Sequence, residues 1–165
     1  MPDKTLILSD KQIQHKVRRI AFQILEFYDG NMQLVIAGIA NNGFIFAEKL
    51  VEDISAISEV KPKLCKINID KKNPHKTPKI SLKEKEYEGQ SLVLVDDVLN
   101  TGSTLIYAVK HLLETDLKEL KTAVLIDRSH KKFPIKADFK GLSLSTSLSE
   151  TVKVSFDDSP KAVLF

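Results

Sequence analysis

Cysteine is nearly absent from this sequence of 165 residues, since Cys65 is the only one. A single cysteine cannot form an internal disulfide, and no Cys-X-X-Cys or cysteine–histidine spacing predicts a zinc site. Long hydrophobic runs are also missing, and the N-terminus lacks the apolar core of a signal peptide. These absences exclude disulfide-built and membrane-spanning proteins, and we expect a cytoplasmic protein with no membrane partner.

A strong charge of either sign is absent as well. Lysine and arginine number 25 against 22 aspartate and glutamate, a net charge of +3, which permits a polyanionic partner without requiring one. Hydrophobic residues make up 42%, a normal level for a globular protein. Because no internal repeat, low-complexity stretch or linker composition interrupts the chain, we expect residues 1–165 to form a single domain.

The centre of the chain combines a strand pattern, an acidic pair, a polar turn and a helix pattern. Residues 91–95 form a short run that is apolar from Leu92 onward and rich in β-formers, which predicts a buried strand. Residues 105–113 place their apolar side chains on one helical face. Between these elements, Asp96 and Asp97 precede a small, hydroxyl-rich turn at residues 100–104. The pattern predicts a strand, a loop and the start of a helix.

This loop has the composition of a phosphate-binding site. A helix start offers unpaired N–H groups and a partial positive charge, and small residues let the backbone approach an anion closely. The predicted cradle consists of Asn100, Thr101, Gly102, Ser103 and Thr104. Carboxylates do not bind phosphate, so Asp96 and Asp97 suit sugar hydroxyls or a divalent metal. A ribose 5-phosphate unit carries both kinds of group.

Two other phosphate motifs are excluded, because the sequence has neither Gly-Lys-Ser/Thr nor Gly-X-Gly-X-X-Gly. The alternative is an ordinary turn in which Asn100 and Thr101 cap the helix and the two aspartates are solvated.

Residues 93–104, Val-Leu-Val-Asp-Asp-Val-Leu-Asn-Thr-Gly-Ser-Thr, resemble the 5-phosphoribosyl 1-pyrophosphate (PRPP) motif of type I phosphoribosyltransferases. The resemblance covers almost the whole chain and is strongest to the pyrimidine-operon attenuator and uracil phosphoribosyltransferase (PyrR-like) family. Its other blocks are residues 6–9, 35–39, 123–130 and 133–139. The family implies an α/β fold with a doubly wound, mostly parallel twisted sheet, helices on both faces and a small C-terminal hood.

The resemblance also implies roles for particular residues. Asp96 and Asp97 would be the catalytic carboxylates, with Mg²⁺ held near them through the substrate, and residues 100–104 would bind the 5-phosphate of PRPP. The turn for pyrophosphate would consist of Ala40, Asn41, Asn42 and Gly43. The base-binding residues would be Val98, Asp127, Arg128, Ser145 and Thr146. The partners implied are PRPP, a nucleobase and further copies of the chain in a homodimer or higher oligomer.

Three departures from related patterns bear on the substrate. The family usually has a basic residue where Asn41 and Asn42 stand, and this loss would weaken pyrophosphate binding. Phosphoribosyltransferases for 6-oxopurines typically have an acid at position 100 and a lysine at 127, whereas this chain has Asn100 and Asp127. The interpretation is therefore transfer to a pyrimidine, most simply uracil. The alternatives are a nucleotide-sensing, RNA-binding regulator of pyrimidine genes with little catalysis, and a purine phosphoribosyltransferase.

The remaining patterns predict the surrounding elements. Helices are expected from Ser9 or Asp10 to Tyr28 and over 44–54, and buried strands over 33–39, 64–69 and 121–126. Residues 4–8 read as an edge strand or arm, and 138–144 and 151–156 as hood strands. The polar segment 70–90 is expected to be a flexible lid whose lysines, Lys71, Lys72, Lys76 and Lys79, neutralise pyrophosphate; the alternative is a solvated basic loop. His15, Lys16, Arg18 and Arg19 form either a solvated face or a nucleic-acid surface.

Overall fold

The computed structural model describes residues 3–165, so residues 1–2 of the predicted domain lie outside the described residues. The elements in chain order are β1 (Thr5–Leu8), α1 (Asp10–Phe27), β2 (Leu34–Ile39), α2 (Asn42–Ile57), β3 (Lys63–Asn68), β4 (Lys79–Ile80), α3 (Glu84–Tyr87), β5 (Ser91–Leu99), α4 (Ser103–Leu112), β6 (Glu119–Asp127), β7 (Phe139–Ser143), β8 (Val152–Ser155) and β9 (Lys161–Leu164).

A six-stranded sheet in the order β4-β3-β2-β5-β6-β7 forms the middle layer. Its pairs are parallel except for the short β4, which runs antiparallel to β3. All six residues of β2 are buried, as a strand covered on both faces requires. One face packs against α1 and α2, and the other against α4 and Tyr87 of α3. The predicted doubly wound α/β fold is confirmed.

A second, antiparallel sheet in the order β1-β9-β8 forms the hood. Val152 and Val154 of β8 point into the core that α1 and α2 share, whereas Lys153 between them is exposed. The predicted strand at 4–8 is β1, an edge of this small sheet. Its central strand, β9, was not predicted, because its four residues, Lys-Ala-Val-Leu, are too short to show a clear alternation.

The prediction that residues 138–144 form part of the hood is wrong. This segment is β7, which pairs in parallel with β6 and extends the main sheet. Gly141 has no Cβ to hit the Leu125 carbonyl oxygen, so the two backbones can approach. Arg19 of α1 donates to the carbonyl oxygens of Lys140 and Gly141, which fixes the edge of the sheet beneath the helix.

The predicted lid at 70–90 is not one continuous loop. Its longest irregular stretch is residues 70–78, after which β4 and α3 are separated only by residues 81–83, and Tyr87 is buried in the core. The mobility of residues 70–78 stays a prediction. Within residues 3–165, every helix is too short or too polar to cross a membrane.

Candidate functional site

The carboxyl ends of β2 and β5 meet at one edge of the main sheet, where open α/β sheets place their ligands. A main cavity of about 270 Å³ opens there. It is lined by Asn42, Lys71, Asp96, Asp97, Val98, Leu99, Asn100, Thr101, Gly102, Ser103, Thr104, Leu105, Val152, Lys153 and Val154. A neighbouring cleft is lined by Ala40, Asn41, Asn42, Asn68, Ile69, Lys71 and Asp97. The two openings therefore share Asn42, Lys71 and Asp97.

Asp96 and Asp97 lie inside β5, which extends to Leu99 rather than ending before them as the sequence pattern predicted. Asp96 is buried, and its Oδ1 accepts a hydrogen bond of 2.9 Å from the Asp97 backbone N–H. Burial, followed by the charge of Asp97, raises the pKa of Asp96 well above its usual value, while Lys71 acts in the opposite direction. The pair thus joins a buried carboxyl with a more exposed carboxylate at the cavity wall.

The loop 100–104 faces the main cavity and is not packed shut. Gly102 has a φ of +85°, and a Cβ there would come closer to Ile135 Cγ2 than any real Cβ contact allows. On the outer side, the Thr101 carbonyl oxygen accepts from the N–H groups of Lys132 (2.8 Å) and Phe133 (3.2 Å). Helix α4 begins at Ser103, so its free N–H groups lie next to the cavity.

The turn predicted for pyrophosphate borders the neighbouring cleft. Ala40 and Asn41 are joined by a cis peptide bond, and α2 begins at Asn42. The Asn42 side-chain amide donates to the Val154 carbonyl oxygen (2.9 Å) and to Asp97 Oδ2 (3.3 Å), so it links α2, β5 and the hood. A Cβ on Gly43 would lie 2.8 Å from Asp96 Oδ1, which explains why glycine stands at this close approach.

Lys71 differs in its position from the other lysines of residues 70–79. Its Nζ lies 4.0 Å from Asp96 Oδ1, and it lines both the main cavity and the neighbouring cleft. Lys72, Lys76 and Lys79 line neither opening.

Of the five residues predicted to contact the base, the structure brings only Val98 to the main cavity. Asp127, Arg128, Ser145 and Thr146 line neither opening. Asp127 is buried and faces Lys131 (3.5 Å) and Lys140 (4.0 Å). The Asp127 carboxylate therefore faces two lysines rather than the main cavity.

Sequence reasoning missed Val152, Lys153 and Val154 as cavity residues. The available signal was the alternation around Lys153, which predicts one exposed side chain between two buried ones. That signal gives the face of the strand but not the neighbour that this face meets.

The described residues contain no cluster of three His, Cys, Asp or Glu side chains that would hold a metal on its own. The donor set at Asp96 and Asp97 consists of carboxylate oxygens beside an open cavity. This set suits Mg²⁺, which is commonly bound through one or two carboxylates together with substrate oxygens.

Comparison with known proteins places this geometry in a family. Residues 5–158 match the family model of the phosphoribosyl transferase domain. The chain is 35% identical over 165 residues to the bifunctional protein PyrR of Geobacter sp. (strain M21), which covers 95% of this chain and 93% of the relative. The bifunctional protein PyrR of Clostridium acetobutylicum is 36% identical over 160 residues, covering 92% and 90%.

Solved structures support the fold. The hypoxanthine phosphoribosyltransferase of Trypanosoma cruzi superposes with a TM-score of 0.77 at 18% identity, covering 97% of this chain and 95% of that one. A hypoxanthine-guanine phosphoribosyltransferase of Bacillus anthracis gives 0.72 at 22% identity, covering 85% and 82%. The sequence and the fold lead to one conclusion: the chain belongs to the type I phosphoribosyltransferase family, with PyrR-like proteins as its relatives.

Proposed function

We propose that the chain transfers the 5-phosphoribosyl group of PRPP to uracil, with release of pyrophosphate and formation of a nucleoside monophosphate. The observation that carries the proposal is that the acidic pair Asp96–Asp97 and the loop 100–104 face the same cavity. A ribose 5-phosphate unit presents hydroxyls and a phosphate to these two surfaces together.

The ribose would be held by the acidic pair and the loop. As the bond from C1 to pyrophosphate breaks, positive charge develops on the ribose ring, and the carboxylates of Asp96 and Asp97 stabilise it while accepting from the 2- and 3-hydroxyls. The N–H groups at the start of α4 and the hydroxyls of the loop fix the 5-phosphate, which orients C1 for attack by a ring nitrogen of the base.

Pyrophosphate would lie in the neighbouring cleft. Lys71 borders that cleft together with residues 40–42 of the turn, so Lys71 supplies the cation that Asn41 and Asn42 do not. Asp96 and Asp97 would hold Mg²⁺ together with substrate oxygens; when bound, this ion neutralises charge on the leaving pyrophosphate.

Uracil is favoured over a purine by two observations. The curated relatives that cover the chain bear the name PyrR, and position 100 is asparagine rather than an acid. The base would lie against the β8 wall, because Val152, Lys153 and Val154 line the same cavity as the acidic pair.

A pyrophosphate-release assay with PRPP and Mg²⁺ tests the proposal. Uracil, cytosine, orotate, hypoxanthine and guanine are supplied in parallel, and uracil is expected to give the fastest release. Release that is fastest with hypoxanthine or guanine would instead establish a purine enzyme. Replacing both Asp96 and Asp97 with asparagine is expected to abolish release while the circular dichroism spectrum is retained.

We infer a second candidate function, regulation through RNA binding, from the relatives' description as bifunctional. Parts of the predicted basic face of α1 are already engaged: Arg18 lies 3.5 Å from Asp53, and Arg19 binds backbone oxygens of β7. His15 remains exposed on this face. Filter binding of pyrimidine-operon leader RNA at two salt concentrations tests this function, because binding through phosphate contacts falls steeply with salt. Absence of binding at low salt would exclude it.

A further inference from the structure

Arg128 is a buried cation without a carboxylate partner. The residue is only 8% exposed, although it follows β6 at the edge of the sheet where the cavity opens. Within residues 3–165, no carboxylate oxygen lies within 4.0 Å of its guanidinium. Its hydrogen bonds all end on neutral oxygens: Asn100 Oδ1 (3.0 Å), Thr146 Oγ1 (2.9 and 3.1 Å) and the carbonyls of Ser147 (3.4 Å) and Glu150 (2.6 Å).

The acids nearest to Arg128 in the sequence and among its contacts are occupied elsewhere. Asp127 faces Lys131 and Lys140, and its Oδ1 accepts from the Ser129 N–H (3.1 Å). The Glu150 carboxylate accepts from the Ser147 N–H (2.6 Å), although the Glu150 carbonyl binds Arg128. A buried charge that lacks its counter-ion is unfavourable for stability. The missing negative charge is therefore expected to come from a ligand.

The contacts of Arg128 indicate which ligand this is. Its Nη1 binds the side chain of Asn100, the first residue of the phosphate loop, and its backbone N–H donates to the Leu99 carbonyl (3.0 Å). The loop itself, Asn-Thr-Gly-Ser-Thr, contains no lysine or arginine. A doubly charged phosphate on this loop would thus contact backbone N–H groups and hydroxyls. The cation joined to the loop is the Arg128 guanidinium, which binds the Asn100 side chain.

We propose that Arg128 is the positioning residue for the 5-phosphate: it fixes Asn100 at the start of the loop and supplies the positive charge that the loop lacks. This rests on the proposed function, since it requires a ligand with a phosphate at that place. Because Arg128 is only 8% exposed, its charge is screened less than a surface charge. The Nη2 atom of the guanidinium donates to Thr146 Oγ1 and to the Glu150 carbonyl oxygen, so Arg128 also joins the 146–150 segment to the loop.

The test is a calorimetric titration with ribose 5-phosphate of the full chain and four variants. Arg128→Met removes the charge and is expected to weaken binding by about tenfold or more. Arg128→Lys keeps the charge and is expected to recover part of that loss. Asn100→Asp retains Arg128 but gives it a carboxylate, so binding is expected to weaken while the melting temperature rises. Arg19→Met is the matched control, because Arg19 also donates to backbone carbonyls but lies on α1.

A kinetic readout separates positioning from general destabilisation. Arg128→Met is expected to raise KM for PRPP with a much smaller change in kcat, measured at a temperature where circular dichroism shows the variant folded. If Arg128→Met does not fold, Asn100→Asp carries the test. Unchanged ribose 5-phosphate affinity in Arg128→Met or in Asn100→Asp would overturn the role of Arg128 but not the proposed function. The same holds if Arg128→Lys binds ribose 5-phosphate no more tightly than Arg128→Met. Absence of binding to the wild-type chain would overturn the proposed function as well.

Discussion

Replacing Gly102 with alanine perturbs residues 100–104, the proposed phosphate loop, and the structure separates the free-energy cost into two parts. The first part is conformational, because a φ of +85° is left-handed and unfavourable for a residue with a Cβ by about 1–2 kcal/mol. Loss of freedom in the unfolded chain offsets this by about 0.4–1 kcal/mol. The second part is steric, because the new methyl group overlaps Ile135 Cγ2, and overpacking of this kind costs about 1–3 kcal/mol.

Gly30 provides the matched control. It has a φ of +83°, nearly that of Gly102, but a Cβ there meets no atom within 4 Å. Gly30→Ala is expected to lose about 1 kcal/mol, and Gly102→Ala about 2–4 kcal/mol. For a chain of this size, each kcal/mol lowers the melting temperature by about 2–4 °C.

Thermal unfolding by circular dichroism, followed by titration with ribose 5-phosphate, measures both effects. The Gly102→Ala loop must move away from Ile135, so phosphate affinity is expected to fall by about tenfold or more, whereas Gly30→Ala binds as the wild type does. Equal melting temperatures and equal affinities for the two variants would refute the argument that Gly102 shapes the phosphate site.

Three further predictions concern the acidic pair and its neighbours. Because the pKa of Asp96 is raised in the folded chain, the protonated form stabilises the fold. This contribution is lost as pH rises through the raised pKa, at about 1.4 kcal/mol per pH unit. In thermal scans, the melting temperature of Asp96→Asn is expected to match that of the wild type near pH 4 and to exceed it near pH 8. Gly43→Ala places a Cβ 2.8 Å from Asp96 Oδ1, and kcat for pyrophosphate release is expected to fall at least about tenfold; an unaltered kcat would contradict the close approach. Lys71→Met is expected to weaken inhibition by pyrophosphate about tenfold, and the neighbouring Lys72→Met, away from both openings, to leave it unchanged.

The sequence predicted the main sheet and its flanking helices because buried strands and amphipathic helices have strong periodic patterns. The strands over 33–39 and 121–126 and the helix after Ser9 all exist with small shifts of their ends. The strand, turn and helix start around residues 100–104 were also predictable, since the acids, glycine and hydroxyls are contiguous in the chain. Phosphate binding by this turn stays a prediction. A motif of this kind depends only on residues that are close together in the sequence, here 93–104.

What the sequence did not predict depends on long-range neighbours. Residues 139–143 alternate as either a hood strand or a sheet edge would, and only pairing with β6 decides between them. The residues that line the cavity at β8 likewise depend on contacts between distant parts of the chain. Arg128 has the chemistry to meet a base, but its guanidinium donates to Asn100 and to the 146–150 segment, while Lys153, 25 positions further along, lines the cavity.

Binding of PRPP tests the central claim most directly, because it requires the acidic pair and the phosphate loop to act on one molecule. In calorimetric titrations with Mg²⁺, PRPP is expected to bind the wild-type chain with one site per chain and more tightly than ribose 5-phosphate. The double variant Asp96→Asn/Asp97→Asn is expected to lose most of that additional affinity and to retain the phosphate-dependent part. PRPP binding that is absent from the wild type, or identical in the double variant, would contradict the account.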